Sequence, residues 1–356
     1  MINNRTLVRN KLNCLKSFVW RADDESNKYA HHPSIKSFNG KYYASWSSGE
    51  IGEDEPCQCI MYAVSDDLLN WSKPKCLFDP IPDGVLTNCG FWVDDDRLIA
   101  YAGYYEYIDN VLSVGENHIN TTLFYKTTND GEEWSEMIDL MLPIVPNHQP
   151  MRLNNGALLM CGNISVALTE SHDGISGWRI VPLPPYGKSF SFDDSAAITY
   201  LKAEREDKTF LCEIGAYEYG EKLIALLRSD TDCLFACESN NNGETWSYPQ
   251  KTEFTDYHSK FCCGTLNDGR NYVVSNPDSV YCRLPLVLSL SKDGECFDEQ
   301  YVLADEMIPM RYPSKYKGGY YAYPSCEYVD GKLIVICSVN KEDILIISVN
   351  ENELRC

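Results

Sequence analysis

The chain has 356 residues, 44% hydrophobic and 12% aromatic, which is enough to bury one large all-β core or two small ones. Its formal charge of −21 argues against nucleic acid and anionic membrane surfaces as partners, and any acidic ligand must be held by local Arg or His against a repelling background. No run of 18 apolar residues occurs and the start, MINNRTLVRNKLNCLKSFVW, has no stretch fit for a signal peptide, so a cytoplasmic protein without membrane association is expected.

Residues 1–28 are polar and irregular and read as an N-terminal arm with room for one strand; 29–356 reads as a single domain. Blade one opens with HHPSIKSFNGKYYASWSSG, a strand, an Asn-Gly turn and a second strand. An acidic loop, GEDEPCQ, leads to a third strand. Blade two spans roughly 85–135 and carries the Tyr-rich insertion YAGYYEYIDNVLSVGENH, expected to form a functional rim. Blade three runs from PNHQPMRLNNGALLMCGN to Trp178, and blade four from about 192 to 247 with CEIGAYEYGEKLIALLRSD. Blade five holds SKFCCGTLNDGRNYVVSNP and CRLPLVLSLSKDG. Blade six holds YAYPSCEYVDGKLIVICSVNKEDILIISVN, and the ring is expected to close against the N-terminal segment.

A repeated turn ties these units together. SNNNGETW at Ser239–Trp246 returns at Ser65–Trp71, Thr127–Trp134, Ser171–Trp178 and Ser291–Phe297, at intervals of roughly 45 to 70 residues. An Asp or Asn bonds the following backbone, a Gly takes positive φ, and an aromatic residue anchors the turn from below. Five copies imply an all-β propeller, counted as six-bladed with seven blades as the alternative. The 16 cysteines form no CxxC pair, and many lie in apolar strand-like runs, so they read as buried thiols in a reducing compartment. With no metal-ligand spacing and no GxGxxG, neither a metal nor a cofactor is expected, and activity is expected to survive EDTA.

In a propeller the inner strands start at the central channel, so ionisable residues from distant blades converge on one pocket. Glu213 lies fifteen residues before Arg228, Arg283 precedes the fifth turn, and Tyr323 opens the last blade. With the turns, this order resembles the exo-α-sialidases of the Asp-box propeller type, over most of 30–350. The resemblance implies an exo-glycosidase acting on a terminal acidic sugar of an oligosaccharide. It makes Tyr323 the nucleophile, Glu213 its polarising carboxylate, Arg228 and Arg283 two arms of a carboxylate clamp, and Asp54 the acid/base, with Glu53 as competitor. Gln58 and His148 are further candidates for binding substrate.

The sequence departs from that family at AHHPSI, where His31 stands in the register of the first clamp arginine. Arg21, ten residues earlier, is a candidate to restore the third arm. His31 and His32 make the site similar to sialidase-like propellers that act on uronate glycans, the rhamnosyl-glucuronate hydrolases and ulvan-type lyases, where a histidine carries catalysis. The plainer alternative is that they cap the strand or stack on Trp46. A non-catalytic glycan-binding propeller is the third reading. The sequence does not specify an oligomeric state.

Overall fold

Along the strand Lys332–Val339, Leu333, Val335 and Cys337 pack toward one neighbouring sheet while Ile334 and Ile336 pack toward the other. The two-residue period of a strand sends alternate side chains to opposite faces, and here both faces are apolar. Sequences of this kind build stacked sheets rather than one solvated sheet.

The computed structural model describes residues 1–6, 8–107, 118–184, 209–278 and 283–354. Among them the strands form six sheets, the blades of a nearly all-β six-bladed propeller rather than a seven-bladed one. Blade I covers 29–78, II 85–139, III 151–182, IV 211–255, V 262–304 and VI 321–350. The innermost strands are Tyr29–Phe38, Val85–Asp94, Met151–Arg152, Leu211–Tyr219, Cys262–Thr265 and Tyr321–Val329. Six apolar clusters sit between adjacent blades, so the core is a ring around the axis rather than a single mass.

Residues 1–28 do not form a separate arm. Leu15–Arg21 is the outermost strand of blade VI, antiparallel to Asp343–Asn350, and Arg9–Lys11 pairs in parallel with Glu299–Ala304 of blade V. The segment holds two strands: one completes blade VI, which supplies three of its own, and the other adds a fifth to the four of blade V, so the chain's beginning covers an open edge of each.

The repeated turns have the expected chemistry. Asp67 Oδ1 accepts from the backbone of Leu69 and Asn70 at 2.8 Å each, and Asp130, Asp173 and Asp293 repeat the arrangement. In blade IV, Asn241 Oδ1 accepts from Thr245 N at 3.0 Å. Gly131, Gly174, Gly243 and Gly294 all have positive φ there, and Leu68 (φ 64°) occupies the glycine's place in the first copy. The first half of the Tyr-rich insertion is regular strand, Arg97–Tyr107; its tip and the beginning of the expected blade four lie outside the described residues.

Candidate active site

Four innermost strands carry a break in register near their starts: between His31 and Ser34, Asn88 and Gly90, Leu211 and Ile214, and Ala322 and Ser325. A bulge re-aims a side chain that regular pleating would send into a blade interface. These bulges hold His32, Glu213 and Tyr323 at the channel, while Cys89 stays in the core between blades II and III. The cost shows in the backbone: His32 (φ 48°), Asp54 (59°), Arg283 (59°), Tyr316 (64°), Tyr323 (54°) and Lys341 (54°) are all left-handed. Each such residue costs on the order of 1–3 kcal/mol. All six line one cavity of about 560 Å³, together with Glu53, Asn88, Glu213, Arg228 and Lys260.

The centre of the cavity is a three-residue hydrogen-bond group. The Tyr323 hydroxyl donates to Glu213 Oε1 at 2.5 Å, and Arg228 Nη1 donates to Glu213 Oε1 at 2.7 Å, to Oε2 at 3.0 Å and to the Tyr323 oxygen at 3.0 Å. Burial alone would push the Glu213 carboxyl up, but the Arg228 charge and the Tyr323 hydrogen bond outweigh it, and it falls to about 2. Burial and the adjacent Glu213 charge hold the Tyr323 phenol well above its ordinary value, against the pull of Arg228. Both groups therefore rest in the states drawn here, phenol and carboxylate.

Charges around that group are unevenly matched. Glu213 answers Arg228, and Lys341 donates to Glu53 and to the Tyr316 carbonyl at 2.9 Å. Asp54 is buried, and its Oδ1 accepts from the Tyr105 hydroxyl at 2.8 Å. Arg283 lies 5.4 Å from the centre of the Tyr323 ring, and its buried Nη1 has no hydrogen-bond partner among the described residues. Lys260 reaches the same ring at 5.6 Å. The arrangement thus favours an anion, most simply a carboxylate beside the Tyr323 oxygen.

His31 is fully enclosed beneath Tyr323, ring centres 4.2 Å apart, with Nδ1 2.6 Å from Ser338 Oγ. His32 lines the cavity, 5.2 Å from the Tyr323 ring. Burial first, then Lys341 for His31 and Lys260 for His32, keeps both imidazoles well below their ordinary pKa and so neutral. The ligand atoms of His31, His32 and Glu53 lie within 4.8 Å of one another and could in principle take a metal ion. Glu53 is already held by Lys341, and Lys260 and Arg283 add positive charge, so the electrostatics oppose a cation there.

Three sequence candidates do not reach the cavity. Arg21 lies in the outermost strand of blade VI, over the Phe18 ring and 3.5 Å from Asp343, so no third clamp arginine comes from it. Gln58 is buried, its Nε2 donating to the Leu86 carbonyl at 2.6 Å, and ties blade I to blade II. His148 lines a separate cavity of about 400 Å³ with Cys262, Cys263 and Cys326. Conversely, Lys260, Lys341 and Asp256 passed unnoticed in the sequence. For Lys260 a signal exists: like Glu213, it is a charged residue beside the apolar run of an inner strand.

The sequence matches the BNR repeat-like domain over residues 40–334. No curated protein matches the chain. Among solved structures it is similar to a sialidase (TM-score 0.68, 20% identity) over 98% of this chain and 35% of that one. It is also similar to the Trypanosoma rangeli sialidase in complex with sialic acid (0.65, 14%) over 97% of this chain and 60% of that one. A third is the Ruminococcus gnavus intramolecular trans-sialidase in complex with oseltamivir carboxylate (0.65, 14%), over 96% and 98%. The chain spans about a third of the length of the first of these, and at such identities the likeness is one of fold. With the matched segment covering most of the chain, from the first hairpin of blade I to the second strand of blade VI, the protein belongs to the BNR repeat-like domain family.

Proposed function

We propose that the protein is an exo-glycosidase that hydrolyses a terminal acidic sugar, sialic acid first, from an oligosaccharide. The observation that carries this reading is the Tyr323–Glu213 hydrogen bond held under Arg228, with Arg283 over the same ring. A neutral phenol approaches a carbon next to a carboxylate with less repulsion than an anionic nucleophile meets.

In the first step the Tyr323 oxygen forms a bond to the anomeric carbon as its proton passes to Glu213. The glycosidic C–O bond breaks, and the departing oxygen takes a proton from Asp54, the buried cavity acid. In the second, water gives a proton to Asp54 and attacks the same carbon; Tyr323 leaves and regains its proton from Glu213. Glu213 at about 2 is a weak base in the empty site. A substrate carboxylate that shares Arg228 loosens its hold on Glu213 and makes Glu213 more basic when the proton must move.

One observation favours a second reading, lyase or histidine-assisted chemistry on a uronate glycan: the neutral His32 ring faces the cavity and its Nδ1 has no hydrogen-bond partner among the described residues. The test is incubation of the protein in EDTA with sialyl-lactoses and uronate oligosaccharides, with products read by mass spectrometry. Free sialic acid supports the leading reading. A uronate product lacking one water moves the reaction to elimination, and binding without any product reduces the protein to a glycan-binding propeller.

A further inference from the structure

Lys260 stands just before the inner strand of blade V and is 4% exposed, yet its ammonium has no hydrogen bond or ion pair with any described residue. It lines the cavity beside Tyr323. Buried charges in folded proteins are paired, because an isolated one gives up its hydration for nothing. The other cavity lysine obeys that rule through Glu53. Lys260 does not, and burial accordingly draws its pKa down from the ordinary lysine value.

A second observation points to what the missing partner is. His31 fills the register where an arginine of the clamp is expected, and it packs tilted against Tyr323, 4.2 Å between ring centres, as a neutral ring that supplies no charge. Arg228 bonds the Tyr323 oxygen, Arg283 stands 5.4 Å from the ring centre, and Lys260 stands 5.6 Å from it. Three cations from blades IV and V thus surround one phenol, and two of them lack an acidic partner among the described residues.

We propose that Lys260 is the third arm of the carboxylate clamp, so that a two-arginine, one-lysine set holds the substrate carboxylate in place of three arginines. The assignment rests on the acidic-sugar reading above. It goes further by making the substrate's charge, and not only its shape, depend on a lysine from blade V. An ammonium is a compact charge with three rotatable donors and no fixed fork, so such a site tolerates more variation in carboxylate orientation than a bidentate guanidinium does.

The experiment compares wild type, Lys260→Met and Lys260→Arg on whichever acidic oligosaccharide the wild type cleaves and on its carboxyl methyl ester, with a thermal melt of each protein. Lys260→Met should lower kcat/KM on the acid by about 10- to 100-fold, mostly through KM, and collapse the acid-to-ester preference in the same proportion. Lys260→Arg should restore most of that preference. Lys260→Met should also melt higher than wild type, since an unpartnered buried charge is removed; a lysine with a purely structural role predicts the opposite sign. An unchanged acid-to-ester ratio in Lys260→Met, with Tyr323→Phe inactive, overturns the Lys260 assignment and leaves the glycosidase reading standing. A wild type that neither cleaves nor binds any acidic glycan overturns both.

Discussion

Tyr323 and Glu213 are 110 positions apart and come from blades VI and IV, yet the phenol donates to the carboxylate at 2.5 Å across the channel. Both stand at bulges of innermost strands, and Tyr323 holds a left-handed backbone to reach its partner. Such strain is held only where the surrounding structure fixes it, and it places the proposed nucleophile against its proposed proton acceptor.

The first prediction follows from that geometry. Tyr323→Phe removes one oxygen and keeps the ring that packs on His31 and under the two cations. Turnover should fall by roughly 10³-fold or more while the melting temperature changes little. Near-wild-type turnover would take Tyr323 out of the mechanism.

Glu213→Gln separates stability from chemistry. The change leaves Arg228, which donates to both oxygens of Glu213, without a counter-charge. Breaking such a buried pair from one side should cost about 3 kcal/mol, read from urea unfolding, besides abolishing proton transfer from Tyr323. The double variant with Arg228→Met should recover part of the stability and none of the activity. A double variant no more stable than the single one would mean that the pair is not coupled.

The turns, and with them the propeller, were legible because each is local: Asp, Gly and the aromatic anchor lie within eight residues, and the backbone bonds to Asp67 or Asp293 never leave the turn. The ordered set Glu213, Arg228, Arg283 and Tyr323 was legible because inner-strand starts recur once per blade. What failed was radial position. Arg21 and Gln58 belong to the same blades as site residues but sit at an outer strand and in an interblade tie, and no spacing in the chain distinguishes inner edge from outer. Asp256 and Lys260 escaped notice because what sets them apart, burial beside the clamp candidates with an Asp256 oxygen and the Lys260 ammonium unpaired among the described residues, exists only in the folded ring.

Gly174 tests the turn architecture. Its φ is +73°, and an added Cβ would lie 2.5 Å from Trp92 Cδ1 and 2.7 Å from the Tyr101 hydroxyl, which donates to the Gly174 carbonyl at 2.8 Å. Gly174→Ala should therefore destabilise by about 2 kcal/mol or more through both backbone strain and overpacking. The equivalent change at Gly269, where a Cβ meets nothing within 4 Å, should cost only the strain of its +87° φ. Equal losses at the two sites would show that the packing beneath the turn contributes nothing.

The histidine pair should give the fold an acid limb. Both imidazoles lie well below 6.5 in the folded chain, through burial first and then the neighbouring lysines. Below pH 6.5 the unfolded chain takes up protons that the folded one refuses. Their contribution is therefore complete above 6.5 and is lost as the pH falls from there toward the folded values, at up to about 1.4 kcal/mol per pH unit for each. His32→Gln should make the urea midpoint less steep between pH 6.5 and 5 by one proton's worth. An unchanged slope would mean that His32 is not buried neutral.

Asp256 works in the opposite direction, so the two effects overlap and are separable only by mutation. Its carboxyl is buried, Oδ2 accepts from Ser259 N at 3.1 Å, Oδ1 has no hydrogen-bond partner among the described residues, and burial raises it to about 7 despite the pull of Arg228 and Arg283. The folded chain thus keeps a proton that the unfolded one releases near 3.8. Its charge costs nothing below 3.8; the penalty on folding grows as the pH rises from there to about 7 and is constant above, with an upper bound of about 4 kcal/mol from a shift of roughly 3 units. Asp256→Asn should therefore be more stable than wild type at pH 8 and indistinguishable from it near pH 3. The same ionisation places a carboxylate near Arg228 and Arg283, the proposed clamp arginines, where it would compete with a substrate carboxylate. In wild type, kcat/KM on an acidic sugar should then decline above pH 7, and Asp256→Asn should remove that decline. If the stability difference appears and the alkaline decline persists in the variant, Asp256 is a cost of the fold only, and the decline belongs to another group in the cavity.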